Sequence, residues 1–210
     1  MRGWNELFED EQFRWKHLNE HVVAFAALLK DQDSRRILDL GCGAGRHTVF
    51  LAREGFETCG FDIAETGLAQ TREWLEREGL SADLKRGDIE RIPWPDNSFD
   101  AVMSIYVIYH KPLAGMERAV AEIFRVLRPG GLALISLQSR RGYRYGAGKE
   151  IEPNSFIPGV GADGEIVHHY SDLSEIQRLF ARFLVRKVEL EEYMEAENRH
   201  SHWQVLLEKE

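Results

Sequence analysis

The stretch Leu38-Asp39-Leu40-Gly41-Cys42-Gly43-Ala44-Gly45-Arg46-His47 constrains this chain more than any other. Arg36 to Leu40 is a short apolar run, the mark of a strand buried on both faces. Arg46 to Glu54 reads as a helix closed by Gly55. Glycines between such a strand and helix let the backbone turn tightly and approach a ligand. The helix N-terminus behind them presents unpaired N–H groups and the positive end of a dipole. The unit predicted is strand, ligand-facing loop, helix.

The same rhythm continues along the chain. Phe56–Phe61, Ala82–Lys85, Phe99–Ile105 and Leu132–Leu137 read as strands, and Ala64–Glu78, Leu113–Leu127 and Leu173–Phe180 as helices. Two β-like runs, Leu184–Glu191 and Trp203–Leu207, close the chain and should pair antiparallel. The pattern predicts an α/β domain: a mostly parallel seven-stranded sheet with an antiparallel C-terminal strand and helices on both faces. Residues 1–34 carry Trp4, Phe8, Phe13 and Trp15 and end in a helical pattern from His21 to Leu29. They form either a helical lid or a cover for the sheet edge. Residues 35–210 then make the ligand-binding domain. Within it, 139–171 is rich in Gly, Pro and Tyr and has no clear period, as expected of a loop that shapes a binding site.

The glycine loop fits some ligands better than others. No Gly-Lys-Ser/Thr follows, so it is not a Walker loop, and Arg46 stands where a dinucleotide fingerprint needs Gly or Ala. Asp39 would repel a pyrophosphate but suits a ligand carrying an ammonium group. Asp62 ends the second strand, where an acid accepts hydrogen bonds from a ribose diol; it equally serves as an N-cap for the next helix. Asp88-Ile89 pairs an acid with an apolar side chain, able to bond an adenine amino group and pack on its ring.

In order and spacing these signals resemble the class I S-adenosylmethionine (SAM)-dependent methyltransferases, especially a bacterial small-molecule branch that includes tellurite-resistance-type enzymes. The resemblance covers roughly residues 35–137 and implies a Rossmann-like fold with SAM as cofactor. It places Asp39, Gly41, Gly43 and Gly45 at the methionine end, with Arg46 near the carboxylate. Asp62 falls at the ribose, Ile63 and Ile89 beside adenine, Asp88 at its amino group, and Ser104 and Ile105 beside the sulfonium. The implied activity moves a methyl group to an O, N, S or metalloid acceptor, with a small molecule expected. His110, His168 and His169 are candidate bases because histidine titrates near neutrality. Tyr145 and His169 are further expected at the acceptor.

Composition narrows the rest. Of 210 residues 43% are hydrophobic and 30% charged, as in an ordinary globular protein, and the net charge of −8 argues against a nucleic-acid or anionic-membrane partner. Cys42 and Cys59 are too few for a disulfide framework or a zinc site, and adjacent histidines lack ligand spacing, so no metal is expected. No signal-like segment follows Met1, and the longest apolar run is too short for a bilayer, so a cytoplasmic monomer or homodimer is expected. Two rivals stay open: a nicotinamide-dependent oxidoreductase and a non-catalytic SAM-binding module.

Overall fold

The computed structural model of the chain describes residues 3–9, 17–161 and 163–210. Phe13 and Trp15 lie outside them. Five parallel strands form the centre: β1 (Arg36–Leu40), β2 (Glu57–Asp62), β3 (Asp83–Arg86), β4 (Phe99–Ser104) and β5 (Leu127–Ser139). β1 pairs with β2 on one edge and with β4 on the other, giving the order β3-β2-β1-β4-β5. The chain therefore moves outward from β1, returns to its other side, and moves outward again. That reversal opens a crevice at the carboxyl ends of β1 and β4.

Beyond β5 the chain closes as a hairpin. β10 (Asn198–Glu208) runs antiparallel to β5, and β9 (Leu184–Glu195) antiparallel to β10. The mostly parallel sheet with antiparallel closing strands is thus as the sequence pattern predicts, but it holds ten strands, not seven, because three further short strands join it beyond β5. Both hairpin strands are longer than their apolar runs. β9 is an edge strand with exposed charge at Arg186, Lys187, Glu192 and Glu195, which breaks up its hydrophobic pattern while blunting the edge.

Side chains alternate strictly between two cores. Leu38, Leu40, Val102, Ala133 and Ile135 face one side, packing with α5 (Leu113–Val126) and α6 (Leu173–Leu179). Ile37, Ala101, Met103, Leu132 and Leu134 face the other, with α2 (Glu20–Asp31) and Leu51 of α3 (Arg46–Arg53). Next to α3, α4 (Glu65–Arg77) covers β2 and β3. Val22, Phe25, Ala26 and Leu29 of α2 are buried in this core, and Asn19 caps the helix by accepting from the His21 amide. Truncating Phe25 to Ala would cost about 3–5 kcal/mol. Among the described residues before β1, α2 is a sheet-packing helix, and the short α1 (Trp4–Leu7) is the piece near the crevice.

The stretch 139–171 also departs from its reading as a loop. It holds three short strands, β6 (Lys149–Glu152), β7 (Ser155–Ile157) and β8 (His168–Ser171). β5 outruns β4, which ends opposite Ile135, and β8 pairs with the overhang at Gln138 and Ser139. Because β10 already holds the other edge of Gln138, the insertion grows on the side that β4 leaves. The strands are three or four residues long, too short for a periodic signal. They are held by side chains: His169 bridges Ser155 (2.7 Å) and Glu175 (2.7 Å), fastening the insertion to α6. Among the described residues no helix is long and apolar enough to cross a membrane.

Candidate active site

The glycine loop is pinned from below. Gly41 has φ +81°, and a Cβ there would lie 2.3 Å from Val107 Cγ2, so the turn admits no side chain. The amides of Gly43 and Ala64 each donate to Asp62, at 2.8 Å to separate carboxylate oxygens, and Thr71 Oγ1 donates to the Gly43 carbonyl. Asp62 thus joins the loop to the turn before α4, but Ala64 holds the N-cap position and no side chain caps the helix, so the capping reading is not met. Burial raises its pKa above the usual carboxylate value even with these bonds.

Asp39 lies beneath the loop and off the cavity wall. Its carboxylate accepts from Thr48 Oγ1 of α3 at 2.7 Å, and burial pushes its pKa up to about 7 despite that bond and the nearby Arg46. Gly45 starts α3 from the left-handed region, and Ser104 is buried with its hydroxyl donating to the Leu40 carbonyl (3.1 Å), tying β4 to β1. Neither lines the cavity.

A cavity of about 700 Å³ opens at the strands' carboxyl ends, within the range of small-molecule sites. Gly41, Gly43, Arg46, Asp62 and Ile105 line it near the loop. Ile63, Asp88 and Ile89 continue that wall, and Ile63 is 43% exposed, unusual for so large an apolar side chain beside a polar loop. Asp88 is gripped by Lys111 Nζ at 2.6 and 2.8 Å; burial alone would raise its pKa, but Lys111 brings it below the usual value. Trp4 and Phe8 cover the mouth. Asn5 accepts from the Thr66 amide, Gln70 donates to the Phe8 carbonyl, and Trp4 meets His110 edge-on at 4.9 Å.

The opposite wall is built from distant parts of the chain. Gln138, Arg144, Asp163, His168 and Tyr170 come from the end of β5 and the insertion, and Tyr193, His200 and His202 from the hairpin. His110 belongs to a 3-10 turn, Ile108–His110, after β4. Its Nδ1–H donates to the Val167 carbonyl at 3.2 Å, which leaves Nε2 as a lone-pair acceptor. Burial, with His168 beside it, holds its pKa down at about 3, so the ring is neutral near pH 7.

The other two expected catalytic residues stand off this wall. His169 is fully buried between Ser155 and Glu175 and fastens the insertion. Tyr145 is 40% exposed, donates its hydroxyl to Asn154, and packs its ring against Phe156 and Tyr170. Both belong to the layer behind the cavity, whereas their neighbours His168 and Tyr170 line it. For His169 the alternation of β8 decides this; Tyr145 lies in the turn between β5 and β6.

Sequence reading missed the hairpin's part. Tyr193 and His200 are cross-strand partners and stack at 4.9 Å with 3° between planes; His202 follows on the same face. The available signal was His200-Ser201-His202 at period two, obscured by flanking charge. Tyr106, just past β4, was also missed. It holds φ +62° and lines the cavity, its amide donating to Ser136 Oγ and its hydroxyl accepting from Asn19. A strained non-glycine residue on a cavity wall is a common mark of a functional site.

Comparison with known proteins agrees with this geometry. Residues 37–131 match the family described as "Methyltransferase domain". Sterol 24-C-methyltransferase ERG6B of Gibberella zeae is 33% identical over 138 residues, covering 62% of this chain and 36% of that protein. The chain spans between about a third and a half of the length of the curated relatives it matches. Among solved structures, TehB from Haemophilus influenzae is similar with a TM-score of 0.71 and 16% identity, covering 99% of this chain and 67% of that one. The 1,6-didemethyltoxoflavin-N1-methyltransferase of Burkholderia thailandensis, solved with 1,6-didemethyltoxoflavin and S-adenosylhomocysteine, has a TM-score of 0.67 and 17% identity, covering 90% and 77%. Residues 37–131 thus match a methyltransferase domain, and the chain shares the fold of these solved structures.

Proposed function

We propose that this chain is a SAM-dependent methyltransferase acting on a small molecule. The observation that carries the reading is that one cavity at the strand-order reversal joins two unlike walls: a glycine-loop wall suited to the methyl donor, and a ring-lined wall suited to an acceptor.

Several residues of the loop wall support the reading. Gly41 and Gly43 hold backbone close to the cavity where any Cβ would clash, and the α3 N-terminus lies just behind them, a position favourable to the methionine carboxylate. Asp62, fixed by two amides, keeps lone pairs for a ribose diol. Ile63 and Ile89 offer apolar contact to adenine, and Asp88 accepts from its amino group at the rim. Asp39, Gly45 and Ser104 act from behind, shaping the loop and the β1–β4 seam. When bound, SAM supplies a methyl group on a sulfonium, which is displaced to leave a neutral thioether.

Alignment then becomes the chain's main task, worth several kcal/mol of the barrier. His110, neutral and with Nε2 available, positions an acceptor's O–H or N–H. A group with so low a pKa orients the acceptor better than it removes its proton. The acceptor atom, whether O, N, S or metalloid, is set by the far wall. That second compartment favours an enzyme over a SAM-binding module, which needs only the first. Arg46 in place of a third fingerprint glycine speaks against a nicotinamide cofactor. Incubating the protein with methyl-labelled SAM and fractionated metabolites should yield a labelled small molecule. NADH binding with no label transferred would favour the oxidoreductase.

A further inference from the structure

The acceptor wall carries enough detail to name a substrate class, an inference that rests on the methyltransferase reading above. Three features of the wall point the same way. The first is its surface. Tyr109, Tyr193, His200 and His202 present ring faces and edges to one another within 4.9–6.5 Å, and Tyr106 meets His202 at 4.8 Å. Walls of this kind gain most from a flat ring sliding between them, stacked or edge-on.

The second feature is a pair of unmatched polar atoms. Tyr170 is 2% exposed and its hydroxyl has no hydrogen-bond partner among the described residues; His202 is 8% exposed and its Nδ1 has none. Both residues line the cavity. A buried polar group without a partner costs about 1–3 kcal/mol, so two on one cavity wall mark groups whose partners arrive with a ligand. A hydroxyl that can donate or accept and a neutral imidazole nitrogen suit a ring O–H, N–H or carbonyl.

The third feature is the charge balance. Arg144 is the cation of the insertion's cavity wall, and Asp163 already holds it through two 3.0 Å bonds. His168 Nε2 sits 3.3 Å from the same carboxylate. On the hairpin, His200 faces Glu195 at 3.2 Å. His110 and His202 are held neutral by burial, at about 3 and 4. With Arg144 matched by Asp163 and carboxylates already beside His168 and His200, this wall offers an anion little. We propose that the acceptor is a neutral, planar aromatic or heteroaromatic molecule carrying a ring hydroxyl or ring nitrogen, with Tyr170 and His202 reading its polar edge.

The test uses the full chain saturated with S-adenosylhomocysteine, whose own affinity is measured first by calorimetry. Four probes follow: 2-naphthol, its saturated counterpart 2-decahydronaphthol, 2-naphthoate and sodium selenite. Naphthol should bind roughly tenfold or more tighter than the non-planar alcohol and the two anions. Tyr170→Phe and His202→Phe keep the rings and the packing; each should weaken naphthol roughly tenfold while leaving S-adenosylhomocysteine affinity unchanged. If S-adenosylhomocysteine binds but selenite or naphthoate outcompetes naphthol, or both variants bind naphthol like the parent, the aromatic class is wrong and the methyltransferase reading stands. If S-adenosylhomocysteine itself does not bind, the reading beneath the proposal fails with it.

Discussion

The two ends of the cavity are built on different principles. The donor end is made of consecutive chain: a strand, a glycine turn and a helix, then an acid at the end of each of the next two strands. Its chemistry is largely backbone amides and two carboxylates. The acceptor end gathers rings from the 3-10 turn, the insertion and the C-terminal hairpin, pieces separated by as many as 93 residues, as Tyr109 and His202 lie within one wall. A site made of backbone is constrained by steric rules that few residues satisfy. A site made of side chains on short strands can be re-lined without disturbing the sheet. The first suits an invariant ligand and the second a ligand that differs from one enzyme to the next.

Disturbing the backbone-built end should therefore cost most. Gly41→Ala forces a Cβ into the left-handed region and onto Val107, a loss of about 3–5 kcal/mol in stability. Urea unfolding measures it. An unaltered midpoint would mean that the loop is not the rigid element described. The equivalent small-to-large change at the acceptor end, Gly142→Ala, should be far milder, because a Cβ there would meet only ordinary contacts at 3.4 Å or more.

Acid acts with opposite signs on the buried histidines and the buried carboxyls, and the loop end holds both kinds. At the acceptor end, His110 and His202 have folded pKa values of about 3 and 4 against an ordinary 6.5, and His47 beneath the loop is held at about 3. As pH falls below about 6.5 the unfolded chain takes up these protons and the folded one does not, so stability drops. Asp39, raised to about 7, acts oppositely: between pH 7 and 3.8 the folded state holds a proton that the unfolded state lacks, which stabilises. Asp62 shifts in the same direction as Asp39. Three histidines outweigh two acids, so the net loss should be on the order of 1–2 kcal/mol per pH unit between pH 6 and 4.5. Unfolding midpoints at pH 7, 6 and 5 give the slope; a rise in stability on acidification would show that the carboxyls dominate.

Asp62→Ala removes the groups offered to the ribose and frees two amides. SAM affinity should fall by about 1.5–3 kcal/mol in calorimetry, with a smaller loss in stability. Equal affinity in a folded variant would move the ribose elsewhere. Behind the acceptor wall the effects should be smaller and structural. His169→Ala leaves Glu175 without its 2.7 Å partner and should cost about 1–3 kcal/mol in stability. Tyr145→Phe loses one exposed bond to Asn154 and should cost less than about 0.5 kcal/mol. If Tyr145→Phe abolished turnover of a known acceptor, the residue would belong to the front layer after all.

The same contrast explains what the sequence disclosed. The parallel sheet was legible because buried strands are apolar on both faces, and glycines and prolines punctuate them. The places of Asp62, Asp88, Gly41 and Gly43 on the cavity wall were legible because strand ends next to turns fix where a residue sits. The acceptor end was not, for two reasons. β6, β7 and β8 are too short to show a period, so His168 and His169 looked equivalent until their opposite facing was seen. β9 is an exposed edge with charges along it, so its outer half, with Tyr193, read as a charged linker. Tyr106 gave no warning either, since its positive φ is imposed by the packing of Ser136 and Asn19 around it.

The central claim, that the loop end of the cavity takes the methyl donor, is tested most directly by titrating S-adenosylhomocysteine and NADH separately into the full chain by calorimetry. The structure predicts one saturable site for S-adenosylhomocysteine, weakened in Asp62→Ala, and no comparable heat from NADH. Saturable NADH binding lost in Asp62→Ala, with none for S-adenosylhomocysteine, would contradict the account.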